Sequence, residues 1–373
     1  MLYVDIPTLA EIRALHRARA DACVSIYVST TPQTQNVKAS RIAFRNLRKA
    51  ALKQLEAATF DKSRHALLEG ELAALGEDDA FWSLQARTLA VLATPDSVRT
   101  FRLATHITDS FEVSDKFHLK PLLRAIAFPQ HAFVLALSEN AARLVEVFAD
   151  LPPSPVRAPD LPRSAADAVG RASINNLTQG TRNANAQGQS ILLRQYARQV
   201  DASLRPILSG RETPLILAAT DPLGPIFRAI NTYPALAGEG ISTSPDRLSD
   251  SELAEAARPL LDRLYADEIN AAKALFQTRQ GQRRATTDIG EAARAATNGA
   301  VELLLVDIDN MIPGTVDDAD GAVTLAATPS AASYDVIDEI TGRAIATGAK
   351  FLGVRRSDIP EGAYLAAILR YPI

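Results

Sequence analysis

The chain has 373 residues, with 40 Lys+Arg against 43 Asp+Glu and a formal net charge of −3. That length predicts two or three domains with cores of their own, and 47% hydrophobic against 22% charged residues fits neither disorder nor a fibrous repeat. One cysteine, Cys23, excludes an internal disulfide and a multi-thiolate metal site and suits a reducing compartment. Asp5 and Glu11 interrupt any apolar leader, and no apolar run approaches the ~20 residues of a membrane span. A cytoplasmic protein without membrane contact is expected.

The near-neutral total conceals polarity. No acid lies between Asp21 and Glu56, a stretch carrying Lys38, Arg41, Arg45, Arg48, Lys49 and Lys53. A second acid-free stretch, between Asp167 and Asp201, carries Arg171, Arg182, Arg194 and Arg198. Residues 301–350 hold nine acids against only Arg343 and Lys350.

In chain order, residues 23–29 alternate and are rich in β-branched side chains, which predicts a strand. Residues 37–58 predict a helix with Ile42, Leu47, Ala51 and Leu55 on its apolar side, while Lys38, Arg41, Arg45 and Arg48 follow a 3-4-3 spacing that reads as one face. Four such cations without i+4 acids can neutralise several phosphates, which points to RNA. A strand pair is expected at 88–92 and 98–103 around Pro95-Asp96, and Phe128-Pro129-Gln130 reads as a boundary. Strands at 131–137 and 142–148 follow, then a Pro-rich passage and a polar stretch, 165–189, expected as a long loop. A helix over 191–204 stops short of Pro206, with Ser190 as its cap, followed by a strand at 214–220 and a helix near 225–231. Ser249-Asp-Ser-Glu252 forms a capping box for a helix reaching about 277, and Asp288-Ile-Gly-Glu291 opens another. Strands at 301–306, 323–327, 350–354 and 364–371 with a helix at 334–347 complete an α/β pattern.

Several chemistries find no support. There is no phosphate-binding glycine loop, and Gly238-Glu-Gly240 has the wrong spacing. The histidines form no i, i+4 metal pair, so neither metal nor cofactor is expected. Asp307-Ile-Asp309 ends an apolar strand as in haloacid-dehalogenase-type phosphotransferases, but only 64 residues follow it, and a solvated strand-end loop is the simpler expectation.

The passage Gln187-Gly188-Gln189-Ser190, entering Ile191-Leu-Leu-Arg194-Gln-Tyr196-Ala-Arg198, resembles the Gly-Gly-Gln-Ser loop and following helix of archaeo-eukaryotic peptide-chain release factors, with Gln187 in place of the first glycine. Phe117-His-Leu-Lys-Pro-Leu122, Val200-Asp-Ala-Ser-Leu-Arg-Pro-Ile207 and Asn231-Thr-Tyr-Pro234 are similar to the bacterial branch of this superfamily. Asn298 to Asp307 is similar to that branch and to Pelota, and Ala366 to Tyr371 is similar to the bacterial family's ending. Asn36-Val37-Lys38-Ala39-Ser40 faintly resembles a stop-codon element with one residue inserted.

The resemblance implies a multidomain α+β (α/β) chain. Its parts would be an N-terminal α/β domain (1–129), a central ribonuclease-H-like mixed sheet with helices (130–248), and a C-terminal α/β/α domain of the kink-turn-binding ribosomal-protein type (249–373). It implies Gly188 and Gln189 as the catalytic pair for peptidyl-tRNA hydrolysis. Lys38, Arg41, Arg45, Arg48, Lys49, Arg182, Arg194 and Arg198 would face RNA. Ribosome and tRNA are the implied partners, with a translational GTPase or ribosomal protein against the acidic C-terminal third. Two alternatives stay open: a non-catalytic ribosome occupancy factor, and an unrelated hydrolase using 150–189 as a lid.

Overall fold

The structure is a computed structural model that describes residues 4–32, 37–57, 61–127, 131–148, 151–168, 182–211, 213–328 and 333–372. Two compact units share the chain: Met1–Phe128 with Asp267–Ile373, and Pro129–Ala266. The architecture is mixed α/β throughout, and no helix among the described residues is long and apolar enough to cross a membrane.

The first unit opens with α1 (Leu9–Arg17), β1 (Cys23–Ser29), α2 (Val37–Ala57), α3 (Lys62–Glu77), α4 (Asp79–Ser83), β2 (Thr88–Thr94), β3 (Ser97–Leu103), β4 (Ser110–Ser114) and α5 (Lys120–Ala127). The strands form an antiparallel sheet ordered β3-β2-β1-β4. Val24, Ile26 and Val28 pack with Phe44, Leu52, Leu55 and Trp82 of the α2–α4 layer, while Cys23 and Tyr27 pack with α1 and α5. Both faces of β1 are thus covered, which explains a strand with few polar positions.

The second unit contains β5 (Ala132–Leu137), β6 (Ala142–Val147), β7 (Ser154–Val156), α6 (Ala165–Ala168), α7 (Arg182–Leu208), β8 (Leu215–Ala218), α8 (Leu223–Ile230) and the first turns of α9 (Asp250–Gln280). Its mixed sheet runs β7-β6-β5-β8, with only the β5–β8 pair parallel. Phe133, Leu135 and Leu137 join the α7–α8 core; Ala132, Val134 and Ala136 join Leu253, Ala257 and Leu261 of α9. The outer edge of β8 is covered by 235–241, where Ile241 N–H donates to Leu217 O (2.9 Å). A Cβ on Gly240 would lie 2.4 Å from that carbonyl, so glycine is required by this close approach.

The first unit resumes with β9 (Ala285–Thr286), α10 (Ile289–Thr297), β10 (Val301–Asp307), β11 (Pro313–Val316), β12 (Val323–Leu325), β13 (Tyr334–Asp335), α11 (Val336–Ala346), β14 (Lys350–Val354) and β15 (Leu365–Leu369). These form one sheet ordered β14-β10-β15-β9 and another ordered β12-β11-β13. Ser249 and Glu252 cap α9 reciprocally, and Asp288 accepts from Glu291 N–H (2.8 Å) to start α10. Asp307 departs from the expected solvated loop. It is fully buried and closes the turn after β10 by accepting from Asp309 N–H (3.0 Å) and Asn310 Nδ2 (2.7 Å).

Candidate functional site

The chemistry expected at Gly188 and Gln189 sits on α7. This helix starts at Arg182 and ends at Leu208, so the Gln-Gly-Gln-Ser passage is helical rather than a loop tip and Ser190 is interior to it. The physical reason is local: 182–190 contain neither proline nor a β-branched residue, and Gly188 alone costs only about 1 kcal/mol of helix propensity. Pro206 falls in the last turn, where it removes one helical hydrogen bond and the helix ends two residues later.

The inward face of α7 is Leu193, Tyr196, Ala197, Val200, Leu204 and Leu208, all buried. Tyr196 OH donates to Ser138 O (3.1 Å), Gln199 Nε2 to Ala168 O (3.0 Å) and Ser203 Oγ to Asp160 O (2.6 Å). These bonds fix the rotation of the helix. Gly188, Gln189 and Ser190 are half-buried, whereas Ile191, Arg194 and Arg198 are exposed on one side. Arg171 and the side chain of Arg182 lie outside the described residues, as does Asn36. Gln189 brings an amide, which can orient a water as donor and acceptor but cannot exchange a proton with it near neutrality. Arg194 and Arg198, four residues apart, set two guanidinium groups on the exposed side of α7, away from Gln189, where they favour phosphate.

Below this face Asp201 is 3% exposed and accepts from Arg205 Nη2 (2.9 Å), Asn231 Nδ2 (3.1 Å), Thr232 N–H (3.0 Å) and Thr232 Oγ1 (3.1 Å). Asn231 Oδ1 in turn accepts from Tyr233 N–H (3.1 Å), and Tyr233 OH donates to Thr213 O (2.6 Å). The Val200–Ile207 and Asn231–Pro234 stretches are therefore two sides of one buried network tying α7 to the segment after α8.

On α2 the expected cationic face divides. Phe44, Ala51 and Leu55 mark the buried side, and Arg41 and Arg48 border it. Arg41 donates to Gly76 O (2.9 Å) and pairs with Asp79 (2.5 Å), Arg48 donates to Leu72 O (3.3 Å), and Arg45 lies 3.6 Å from Glu77. The acids missing at i+4 come from the end of α3 and the start of α4, a pairing invisible to helix spacing. Lys38, Ile42 (56% exposed), Arg45, Lys49 and Lys53 form the exposed stripe instead. Helical spacing places Ile42 inward, but Phe44 takes that position. Lys53 joins the stripe without belonging to the expected RNA-facing face, although its spacing four residues beyond Lys49 signals it.

The acidic block of 301–350 also finds partners inside the first unit. Lys116 pairs with Glu339 (3.2 Å), His118 Nδ1 lies 3.3 Å from Asp338, and Lys120 pairs with Asp335 (3.0 Å). Alternate residues of 116–120 thus meet the start of α11. Burial opposes charge on Glu339, but His16 at 3.3 Å, Lys116 and Arg343 (2.7 Å) outweigh it and hold its carboxyl far below the usual range. Burial also works against a charged His118, yet Asp338, Glu112 (3.4 Å) and Asp335 raise its pKa to about 9. His16 reaches Glu339 because Gly342 has no side chain: a Cβ there would fall 1.9 Å from the imidazole Cδ2.

Comparisons with known proteins bear on the second unit. Bacterial archaeo-eukaryotic release factor family 11 matches residues 129–267. No curated protein matches the chain. Solved structures with a similar course include archaeal Pelota from a ribosome-bound assembly with ABCE1 (12% identity over 99% of this chain and 96% of that one, TM-score 0.43). Others are Dom34 of S. cerevisiae, a translation termination-like factor (13%, 74% of each chain, TM-score 0.42), and the archaeal termination factor aRF1 (13%, 98% and 99%, TM-score 0.24). The matched segment carries Gln189, Arg194, Arg198 and the Asp201 network, and over it the chain is similar to the bacterial archaeo-eukaryotic release factors.

Proposed function

We propose that this protein is a ribosome-associated, release-factor-like protein acting in termination, rescue or the response to stalling, in the cytoplasm. The observation that carries the reading is the family match over 129–267 together with α7, the helix in that segment that bears Gln189 and, on its exposed side, Arg194 and Arg198. In this reading Gln189 orients a water against the peptidyl-tRNA ester, positioning being its main contribution. Arg182, Arg194 and Arg198 contact RNA from α7, and Lys38, Arg45, Lys49 and Lys53 contact it from α2, with Arg41 and Arg48 bracing that helix. The division into 1–129, 130–248 and 249–373 belongs to the same reading, as does a translational GTPase or ribosomal protein as partner of the C-terminal third.

The test is peptidyl-tRNA hydrolysis on purified ribosomes with wild type and Gln189→Ala. Loss of hydrolysis in the variant, with ribosome binding kept, supports the catalytic role. A second reading, occupancy without hydrolysis, draws on the helical, half-buried state of Gln189 and on Gln187 in place of glycine. It requires that wild type binds ribosomes yet releases no peptide. Replacing Lys38, Lys49 and Lys53 by Gln should flatten the salt dependence of ribosome binding, lowering the log–log slope by about 0.7–0.9 for every phosphate that is no longer neutralised. No co-sedimentation with ribosomes even at low salt refutes both readings.

A further inference from the structure

We propose that the edge of β12 and the groove beside it form a docking site for an extended, basic protein segment, which adds to the β12-β11-β13 sheet as a further strand. β12 is the terminal strand of its sheet. Asp317 N–H donates to Ala322 O and Ala326 N–H to Pro313 O, and Thr315 stands opposite Thr324. By the alternation of an antiparallel ladder, Val323 and Leu325 turn their N–H and C=O groups away from β11. Val323-Thr324-Leu325 contains no proline and no charge, the usual protections of an open edge, and Leu325 is 60% exposed. Such an edge offers main-chain pairing to an extended peptide and an apolar contact for one of its side chains.

Charge selects the occupant. A groove of about 650 Å³ adjoins the strand, lined by Asp115, Lys116, Asp317, Asp318, Thr324 and Tyr334 among others. Asp115 and Asp317 are exposed at its rim with Asp320 beside them, while Asp318, also exposed, already pairs with Arg343 (2.5 Å). The one lysine of the lining is turned inward: Lys116 is buried, pairs with Glu339 and donates to Tyr334 OH (3.2 Å) over the tyrosine ring. A phosphate backbone would be repelled here, whereas a strand alternating lysine or arginine with aliphatic residues satisfies both rim and edge. This site uses no residue of the α7 or α2 faces, so it stands or falls separately from the ribosomal reading.

The experiment is fluorescence anisotropy of the full chain with a labelled short peptide alternating lysine and valine. Saturable binding below about 1 mM is expected. The same peptide N-methylated at alternate residues, which keeps its charge but cannot pair with a strand edge, should bind at least about fivefold more weakly. The Asp115→Asn/Asp317→Asn variant, checked for folding by circular dichroism, should weaken the unmethylated peptide by a similar factor. Equal binding of the methylated peptide overturns the proposal even if the double variant does not fold. Unchanged binding by the folded Asp115→Asn/Asp317→Asn variant, or no saturable binding at all, overturns it as well.

Discussion

Removing the Asp201 carboxylate tests whether the network beneath α7 holds the second unit together. In Asp201→Ala the ion pair with Arg205 is lost, but the Arg205 side chain is 62% exposed, so that loss contributes under about 1 kcal/mol. The larger cost falls on Thr232 N–H and the Asn231 amide, which lose acceptors at 3.0 and 3.1 Å on a residue that is 3% exposed. Leaving such part-buried donors unpaired costs about 1–3 kcal/mol. A total near 3 kcal/mol follows, or roughly 10 °C in the melting of this unit. Calorimetry on the full chain, with hydrogen exchange followed at 231–233, measures both. Arg205→Ala should remain within about 1 kcal/mol of wild type. A melting temperature for Asp201→Ala within about 2 °C of wild type, or an Arg205→Ala penalty equal to it, would refute the assignment of the energy to the buried donors.

Other outcomes concern the first unit. Lys120→Met leaves Asp335, which is 1% exposed, without its cation, and should cost about 3 kcal/mol or more in urea unfolding. His118 has a folded pKa of about 9 against an ordinary 6.5, so its contribution is complete below about pH 6.5 and disappears as pH rises through 9. The decline over that window is at most about 3 kcal/mol, and His118→Gln should flatten the profile of urea midpoints measured across it. Gly342→Ala drives a methyl into the His16 ring and should destabilise by about 1–3 kcal/mol. In a His16→Ala background the same change should cost clearly less, and an undiminished penalty would place the strain elsewhere.

Sequence patterns reveal the elements whose signals are local. β1 and β14 match their expected ends, and both capping residues, Ser249 and Asp288, act as their spacing implies. Short elements are not legible: β4, β7, β9, β11 and β13 are two to five residues long and gain their strand state from pairing, which for β4 and β9 comes from partners more than about 80 residues away. The α2 face shows the same limit. Spacing places Arg41 and Arg48 beside Lys38, but their direction is set by Phe44 packing under α3 and by Gly76, Glu77 and Asp79, which only tertiary contact brings near. The start of α7 escapes a pattern-based reading because a polar, alanine-containing stretch has the composition of a loop and the propensity of a helix.

The first unit is assembled from two stretches that flank the second unit in sequence, and this imposes an order in time. Lys120 and Asp335 are 215 residues apart in sequence. At about 5–20 residues per second of synthesis, roughly 10–40 s separate the appearance of the lysine from that of its acid. During that interval the 116–120 cations have no α11 to meet, while the intervening 129–266 unit already has all its strands. The nascent chain therefore completes its inserted unit first, and residues 116–120 stay without their partners, with their cationic edge available to other acidic surfaces, until α11 is made.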